Sequence, residues 1–408
     1  MRTFRGAWTL IGVVVIAFAT ALVASPPPAA AAIPAPADDP FYRPPPGFAD
    51  RPNGTILRSR PIVATALSVP LAVHAWQVLV KSIDAHRRPT AEVATVMVPI
   101  TPWLGPGPRP LVSYQTAEDG VGDQCAPSYA LRTGLLDAGS NAELETPLMS
   151  LLLLRGWAVV TTDYEGPSAQ FLAGPQEGYA VLDGIRAALR FGPDGLGAST
   201  PTALWGYSGG AFATAWATQL RGSHAPELSP AGIAVGGLPA DLDATMRNVD
   251  GGYGFGLVVG GLIGIDRAYP EADLDAIYND RGRTALAASA DACTVELVAS
   301  HLFGSLTAYT ISPSPYDLPA LHDVLAANSP SPAATNAPVY SYHAEADELV
   351  PVAVENAFVA GSCAAGDQVQ IVRPPGGSHN TELLTGAPGA IGFLADRFAG
   401  RPPVDDCS

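Results

Sequence analysis

Short apolar runs alternate with amphipathic stretches along most of the chain. Runs rich in β-branched residues predict buried strands at residues 93–100, 111–114, 157–162, 202–205, 233–235, 339–342 and 369–372. Stretches with helical spacing lie between them, including 143–155, which ends before Gly156, and 177–191, where apolar residues recur on one face. Because strands alternate with helices, we expect an α/β fold whose mostly parallel sheet is covered by helices on both faces.

One long interval breaks this alternation. About a hundred residues with only helix-like or irregular patterns separate the fifth predicted strand from the sixth. We therefore interpret residues 239–330 as an inserted subdomain, and residues 61–238 and 331–408 as the core. Within the insertion, residues 251–265 carry no charge and are too short to span a bilayer. We favour a buried helix for that stretch, with a mobile, lipid-contacting lid as the alternative.

The first 32 residues have the pattern of a secretory signal peptide. Arg2 and Arg5 precede an uncharged apolar stretch, which is followed by small residues that end at Ala32. This pattern predicts export and removal of residues 1–32. The residues that follow, 33–60, are rich in proline at their start and predict an extended entry segment rather than a domain.

Composition and charge narrow the range of partners. Of the 408 residues, 48% are hydrophobic and only 15% are charged, which is typical of a globular protein with a large core. The net charge is -16, and the 22 basic residues are spread along the chain. Because binding to phosphate backbones needs clustered Lys and Arg, we expect no nucleic-acid partner.

The four cysteines are Cys125, Cys293, Cys363 and Cys407. In an exported protein an even number of cysteines predicts disulfides, and the residues alone leave all three connectivities open. None of the spacings matches a metal pattern such as C-x-x-C. The cysteines therefore predict disulfide bonds and no metal site.

A serine motif lies between a predicted strand and a helix rich in small residues. Gly206, Tyr207, Ser208, Gly209 and Gly210 satisfy G-x-S-x-G. In this context the serine occupies a tight strand-to-helix turn, which tolerates only small residues two positions to either side. The following helix would direct its N-terminus at Ser208, and the N–H of Gly209 would be the first oxyanion donor.

A serine nucleophile needs an imidazole base and a carboxylate, which in this fold follow it in the order acid and then histidine. His379 comes directly after the last predicted strand, in a glycine-rich loop. Asp347 is the preferred acid because apolar residues resume straight after it, and Glu345 is the alternative. We interpret His343 as a structural residue in or beside a strand.

Longer phrases around these residues carry a family resemblance. They are "DPFYRPPPGF", "GTILRSR", "PRPLVSYQTAED", "GWAVVTTDYEGP", "LWGYSGGAFATAWA", "EADELVP" and "GGSHNTE". Together they resemble the secretory lipases of the α/β-hydrolase fold, the lipase A type of fungi and actinobacteria. The resemblance covers nearly all of the chain after the signal peptide.

This resemblance implies roles for individual residues. It implies a catalytic triad of Ser208, Asp347 and His379, and an oxyanion hole formed by the backbone N–H groups of Asp119 and Gly209. It also implies that residues 239–330 form a helical cap over an acyl pocket. The disulfides of the family match Cys125 with Cys293 and Cys363 with Cys407.

The expected activity is that of a secreted serine carboxylic-ester hydrolase, with a triacylglycerol lipase as the leading interpretation. An acyltransferase that uses the same acyl-enzyme, a short-chain esterase and a non-catalytic secreted binding module remain as alternatives. We expect a small-molecule or lipid ester as substrate, transient contact with lipid interfaces and no obligate protein partner. No metal or organic cofactor is expected.

Overall fold

The computed structural model describes residues 32–134 and 140–407, in which strands and helices alternate. The predicted signal peptide, residues 1–32, thus lies outside the described residues except for Ala32. The strands are β1 (Ile56–Ile62), β2 (Thr65–Ala66), β3 (Val69–Pro70), β4 (Val73–Ile83), β5 (Pro89–Pro99), β6 (Leu111–Gln115), β7 (Ala158–Thr162), β8 (Thr202–Tyr207), β9 (Gly232–Gly236), β10 (Val339–Tyr342) and β11 (Val369–Val372). The α-helices are α1 (Pro127–Thr133), α2 (Asn141–Leu144), α3 (Thr146–Leu154), α4 (Gly174–Phe191), α5 (Gly209–His224), α6 (Leu242–Val249), α7 (Phe255–Ala268), α8 (Asp280–Ala288), α9 (Thr294–Ser300), α10 (Pro319–Asn328), α11 (Val352–Ala364), α12 (His379–Thr385) and α13 (Ala387–Phe398).

A nine-stranded sheet with the order β1-β4-β5-β7-β6-β8-β9-β10-β11 forms the centre of the core. From β7 to β11 neighbouring strands are parallel, whereas β1, β4 and β5 pair antiparallel at one edge, where β5 meets β7. Apolar side chains of α4 and α5 pack on one face of the sheet, and those of α3 and α13 pack on the other. The expected mostly parallel sheet with helices on both faces is confirmed.

The edge strand β1 and its neighbour β4 were not predicted from the sequence. Polar residues interrupt the apolar pattern of β4, yet Gln77, Lys81 and Ser82 are buried because each has a polar partner. β1 begins at Ile56, inside the segment 33–60 that the sequence analysis treats as an extended entry region. Its pairing with β4 makes the end of that segment part of the sheet.

The helix predicted at 143–155 is divided into α2 and α3 at Glu145. Pro147 in the first turn of α3 has no N–H to continue the hydrogen bonding of α2. The Glu145 side chain instead turns into the core, where its carboxylate accepts hydrogen bonds from Tyr114 Oη at 2.5 Å and from the Ala117 N–H at 2.8 Å. A helical pattern in sequence does not reveal such an inward-turned carboxylate.

Between β9 and β10 the chain forms the helices α6 to α10, so the long interval without strands is helical as expected. The uncharged stretch 251–265 contains most of α7, whose residues are largely buried. A Cβ on Gly256 would lie 2.2 Å from Leu297 O, and a Cβ on Gly264 would lie 2.2 Å from Phe171 O. These glycines allow close backbone contacts, which fits the buried-helix interpretation.

Two disulfides link distant parts of the chain. Cys125, just before α1, bonds to Cys293, just before α9. Cys363 in α11 bonds to Cys407 near the C-terminus. Both pairs are those that the family resemblance implies.

Within residues 32–134 and 140–407, no helix is long and apolar enough to cross a bilayer. The same residues contain no cluster of three or more His, Cys, Asp or Glu side chains that could hold a metal ion.

Candidate active site

Ser208 lies in a tight turn between β8 and α5. Its φ of 54° and ψ of −124° are strained for a residue with a side chain. The turn is held by a hydrogen bond from the Ser208 N–H to Gly236 O at 2.9 Å and by one from the Phe212 N–H to Ser208 O at 2.9 Å. The strained backbone is therefore fixed from both the neighbouring strand and the helix.

The two outer glycines of the motif make this turn possible. A Cβ on Gly206 would lie 2.1 Å from Gly210 O, and a Cβ on Gly210 would lie 2.0 Å from Gln115 O. Both contacts are with backbone atoms, which cannot move aside as a flexible side chain can. The spacing of the motif thus has a steric cause in the way β8 enters α5.

One histidine bridges the serine and an aspartate. His379 Nε2 lies 2.8 Å from Ser208 Oγ, and His379 Nδ1 lies 2.6 Å from Asp347 Oδ2. The side chains of His379 and Asp347 are buried. The structure therefore brings together the three residues that the sequence analysis selected from three separate loops.

Asp347 is held as an acceptor in the loop after β10. Its Oδ1 accepts hydrogen bonds from the N–H groups of Leu349 and Val350, at 2.9 and 2.8 Å. Burial of the carboxyl opposes ionisation, but hydrogen bonds with His343 and His379 outweigh it and hold the pKa of Asp347 well below its usual range. Asp347 is thus an ionised carboxylate at neutral pH.

His379 is the first residue of α12, and its backbone is anchored at both ends. The His379 N–H donates to Glu348 Oε2 at 3.1 Å, and Tyr207 Oη donates to His379 O at 2.7 Å. Ser378 and Thr381 form a capping box at the start of the helix. These contacts fix the direction from which the imidazole approaches Ser208.

The predicted oxyanion residues also meet at this turn. Gly209 is the first residue of α5, where backbone N–H groups have no partner within the helix. Asp119, in the loop after β6, lies so close that a Cβ on Gly209 would be 1.9 Å from Asp119 Oδ1. Burial raises the pKa of the Asp119 carboxyl to about 7, although the nearby His379 lowers it.

The loop that carries Asp119, residues 117–121, is named the oxyanion loop here. Thr294 Oγ1 donates to Glu118 O at 2.8 Å and to Asp119 O at 3.1 Å, and the Val121 N–H donates to Ala292 O at 2.9 Å. Hydrogen bonds thus join the insertion to the oxyanion loop, and the Cys125–Cys293 disulfide joins it to the segment just after that loop.

Known proteins resemble this chain in both sequence and structure. The family model described as secretory lipase matches residues 132–406. A probable inactive lipase of Mycobacterium tuberculosis is 35% identical over 91% of this chain and 84% of its own length. A secreted triacylglycerol lipase of Malassezia globosa is 33% identical over 91% of this chain and 83% of its own length. The X-ray structure of Candida antarctica lipase A superimposes with a TM-score of 0.83 at 30% identity, covering 92% of this chain and 89% of that one.

The chain belongs to the secretory lipase family. It has the α/β-hydrolase fold, and it is a carboxylic-ester hydrolase. The family assignment also agrees with the two disulfides, since such bonds persist in the oxidising environment outside the cytoplasm.

Two cavities of this secretory lipase meet at Ser208. The outer cavity, of about 700 Å³, is lined by Asp119, Glu145, Tyr253, Leu302 and Leu384 among others. The inner cavity, of about 60 Å³, has mainly apolar walls that include Phe171, Leu172, Leu242, Met246 and Val258. Ser208, His379, Asp119, Leu257 and Leu349 line both cavities. A substrate could therefore lie across Ser208 with one part on either side.

Sequence reasoning missed several side chains of this secretory lipase. Glu348 is exposed, yet it contacts the His379 backbone and accepts a hydrogen bond from Tyr253 Oη at 2.5 Å. Glu345, the alternative triad acid, is exposed. His343 lies beside a strand as expected, directly after β10, and its Nε2 also lies 3.0 Å from Asp347 Oδ2. The only sequence signal for His343 was its position four residues before Asp347.

Proposed function

We propose that this secretory lipase hydrolyses carboxylic esters of lipids, with triacylglycerols as the main substrates, through an acyl-enzyme on Ser208. The observation that carries the proposal is the single imidazole that hydrogen-bonds both Ser208 Oγ and an ionised Asp347. A serine hydroxyl is a weak nucleophile at neutral pH, and this arrangement is what activates it.

In the proposed reaction Ser208 Oγ attacks the ester carbonyl carbon while His379 Nε2 takes its proton. Asp347 stabilises the imidazolium, and the N–H groups of Gly209 and Asp119 bind the oxyanion of the tetrahedral intermediate. As the intermediate collapses, His379 returns the proton to the leaving alcohol. Water then enters, loses a proton to His379 and releases the fatty acid, which regenerates Ser208.

The cavities support a lipid substrate. The inner cavity is apolar and narrow, as an acyl chain requires. We assign part of its wall to residues 239–330, acting as a cap, since Leu242, Met246 and Val258 come from this insertion. Around the outer cavity lie four apolar side chains that are each at least half exposed: Leu144, Val295, Leu302 and Leu384. Such a rim favours transient contact with a lipid interface.

A second candidate is a non-catalytic binding module with the same fold. The observation that favours it is the name of the Mycobacterium tuberculosis relative, which describes that protein as a probable inactive lipase. An unactivated serine would not react with a fluorophosphonate, whereas a serine with a working base and oxyanion hole would. The two candidates therefore differ in the reactivity of Ser208.

The first test compares Ser208→Ala with the matched control Ser223→Ala, whose exposed serine lies near the end of the same helix. We expect Ser208→Ala to lower kcat for p-nitrophenyl esters at least about a thousandfold with an unchanged circular dichroism spectrum. Ser223→Ala should keep full activity and fluorophosphonate labelling. Full turnover by Ser208→Ala would refute the triad, and an unlabelled wild-type protein would favour the binding module.

The second test addresses the substrate with a chain-length series of p-nitrophenyl esters and triacylglycerols. The outer cavity, of about 700 Å³ and rimmed by apolar side chains, predicts that kcat/KM rises with acyl chains up to about eight carbons or more, because each buried methylene adds binding energy. Activity confined to acetate and butyrate esters would identify a short-chain esterase. Products transferred to an added alcohol in preference to water would identify an acyltransferase.

We also propose that the protein acts outside the cytoplasm after removal of the signal peptide. The proposal is supported by the pattern of residues 1–32 and by disulfides that require an oxidising compartment. N-terminal sequencing of protein from the culture medium should find a start near residue 33. Secreted protein that still begins at Met1 would contradict it.

A further inference from the structure

A second buried imidazole lies beside the catalytic aspartate. His343 directly follows β10 and is fully buried. Its Nε2 lies 3.0 Å from Asp347 Oδ2, the same oxygen that His379 Nδ1 contacts at 2.6 Å. Its Nδ1 lies 2.7 Å from Glu355 Oε2 in α11. Glu355, His343, Asp347, His379 and Ser208 thus form one continuous row of hydrogen-bonding side chains.

The hydrogen-bond partners of His343 fix its protonation state. Both ring nitrogens face acceptors only: Nδ1 faces the Glu355 carboxylate, and Nε2 faces Asp347 Oδ2 and, at 3.0 Å, the Val350 carbonyl. A neutral imidazole has only one N–H and would leave an acceptor nitrogen facing an oxygen. Both nitrogens of His343 must therefore carry hydrogen, which makes the ring an imidazolium.

The surroundings of Glu355 rule out the alternative that the shared proton belongs to its carboxyl. Glu355 Oε2 accepts a hydrogen bond from the Leu238 N–H at 2.8 Å. Glu355 Oε1 accepts a hydrogen bond from the Ser341 hydroxyl. That hydroxyl accepts a hydrogen bond from Arg373 Nη2 at 2.9 Å, and the same nitrogen lies 3.7 Å from Glu355 Oε1. A carboxyl enclosed by donors is an ionised acceptor. Burial works against the charge on His343, but the hydrogen bonds that it donates to Asp347 and Glu355, together with their negative charges, raise the pKa of His343 to about 10.

We propose that His343 is a positioning residue whose permanent positive charge keeps His379 unprotonated, and so able to act as a base, at mildly acidic pH. The proposal rests on the triad proposed above. Asp347 shares one negative charge between two imidazoles, and the one at His343 already carries a proton. A proton on His379 would place a second positive charge beside the same carboxylate, and the positive charge of His343 opposes this.

Other titratable groups also face this row of side chains, and of these only Glu355 is altered in the test. Those near His379 are Asp119 from the oxyanion loop, Tyr207 from β8, Glu348 from the loop after β10, and Glu382 on α12 beyond Tyr207. Tyr253 of the insertion reaches Glu348 and feels the charge of Asp347. Those near His343 are Asp347 and Glu355, with Arg373 behind Glu355.

The test variant is His343→Gln, which keeps an N–H donor but removes the charge. Because the opposing charge is gone, the acid limb of the kcat/KM profile should move up by about one pH unit, so that kcat/KM falls about tenfold at pH 5 and far less at pH 8.5. The matched control is His343→Gln combined with Glu355→Gln, which removes one charge of each sign. Its acid limb should shift less than that of His343→Gln.

A purely structural role would give a different result. If His343 were purely structural, folded His343→Gln would have a kcat/KM lowered equally at every pH, and the acid limb of its profile would stay at the wild-type position. That result would overturn the proposal. A larger shift in the double variant than in His343→Gln would overturn it as well.

The native protein supplies a second measurement that does not depend on folding of a variant. In ¹⁵N-histidine-labelled protein, both ring nitrogens of His343 should show the shifts of protonated nitrogen from pH 5 to pH 8.5. A neutral His343 at pH 7 would overturn the proposal. The same spectrum recorded on Ser208→Ala does not require activity, so failure of the triad assignment would be distinguished from failure of this inference.

Discussion

At Ser208 the backbone takes a conformation that residues with side chains avoid, and glycines two positions to either side remove the steric obstacle. The strain holds the hydroxyl at the point where His379 reaches it. Activity at this site should therefore depend on groups that never touch a substrate.

Gly210→Ala tests this dependence. The new methyl group would collide with Gln115 O, so we expect a loss of about 1–3 kcal/mol in the free energy of unfolding and a large drop in kcat. The matched control is Gly222→Ala in the same helix, where a Cβ meets nothing within 4 Å. Because alanine favours helix over glycine, the control should keep activity and gain up to about 1 kcal/mol. Wild-type kcat and stability for Gly210→Ala would show that the turn tolerates a side chain.

Much of the candidate site could be predicted from single residues, because a serine nucleophile requires small residues at fixed spacing around it and its acid and base in a fixed order along the chain. Ser208 was identified by the glycines two positions to either side of it. His379 was identified as the last histidine, directly after the last predicted strand. His343 could not be found in this way. Its role depends on how the loop after β10 folds Asp347 back toward that strand, and no local pattern encodes this contact.

At the scale of elements, the oxyanion loop takes its position from the insertion. Thr294 and Ala292 hydrogen-bond to it, and the Cys125–Cys293 disulfide closes the same connection. The Cys363–Cys407 disulfide instead joins α11 to the C-terminal residues, remote in the chain from this loop. The two bonds should therefore affect stability in similar ways and activity in different ways.

Removal of each disulfide tests this difference. Cys125→Ala with Cys293→Ala should lower kcat at least about tenfold, because one misplaced oxyanion donor costs that much or more. Cys363→Ala with Cys407→Ala should leave kcat near the wild-type value. Both double variants should lose about 2–4 kcal/mol in the free energy of unfolding, measured by chemical denaturation. Equal kcat values in the two variants would contradict control of the oxyanion loop by the first bond.

At the scale of the whole molecule, buried carboxyls lie on β5, in the oxyanion loop, after β7 and after α2. Burial, followed by repulsion between neighbouring carboxyls, raises the pKa of Glu92, Glu118 and Glu165 well above the usual range. Burial also raises the pKa of Asp163 to about 7 and that of Glu145 to about 8. The folded protein thus binds protons that the unfolded chain has already released at neutral pH.

This difference in proton binding sets the pH dependence of stability. Since the raised pKa values belong to the folded state, stability should fall as pH rises from about 4.5, the unfolded value, to about 8. Asp347, whose pKa is lowered, contributes with the opposite sign and loses its contribution only as pH falls below about 4. We therefore expect a melting temperature at least about 5 °C higher at pH 5 than at pH 8.5.

Differential scanning fluorimetry across this range provides the measurement. Glu92→Gln should flatten the decline, because a neutral amide replaces a carboxyl that must ionise in a buried site. Asp50→Asn, at an exposed position, should follow the wild-type curve. A melting temperature that rises between pH 5 and pH 8.5 would contradict this account.

The overall architecture was predictable where periodicity is strong. The parallel strands have short apolar runs bounded by glycine or proline, and the sequence predicted all six of them. β1 was missed because charged and polar residues separate its apolar ones and none of its residues is fully buried. β4 was missed because buried polar residues, such as Gln77 and Lys81, interrupt its apolar pattern. Their burial depends on partners from distant segments, such as Asn53 and Ser128, which periodicity does not register.

The hydrogen bonds that join Ala292 and Thr294 to the oxyanion loop, and the disulfide from Cys293 to Cys125 just after that loop, have a consequence for protein engineering. An insertion that only covered a pocket could be exchanged between relatives to alter substrate range. Here the same insertion also hydrogen-bonds to the loop that carries Asp119, the proposed oxyanion donor. A chimaera should therefore retain its own residues 292–294, or receive the donor's oxyanion loop together with the donor's insertion.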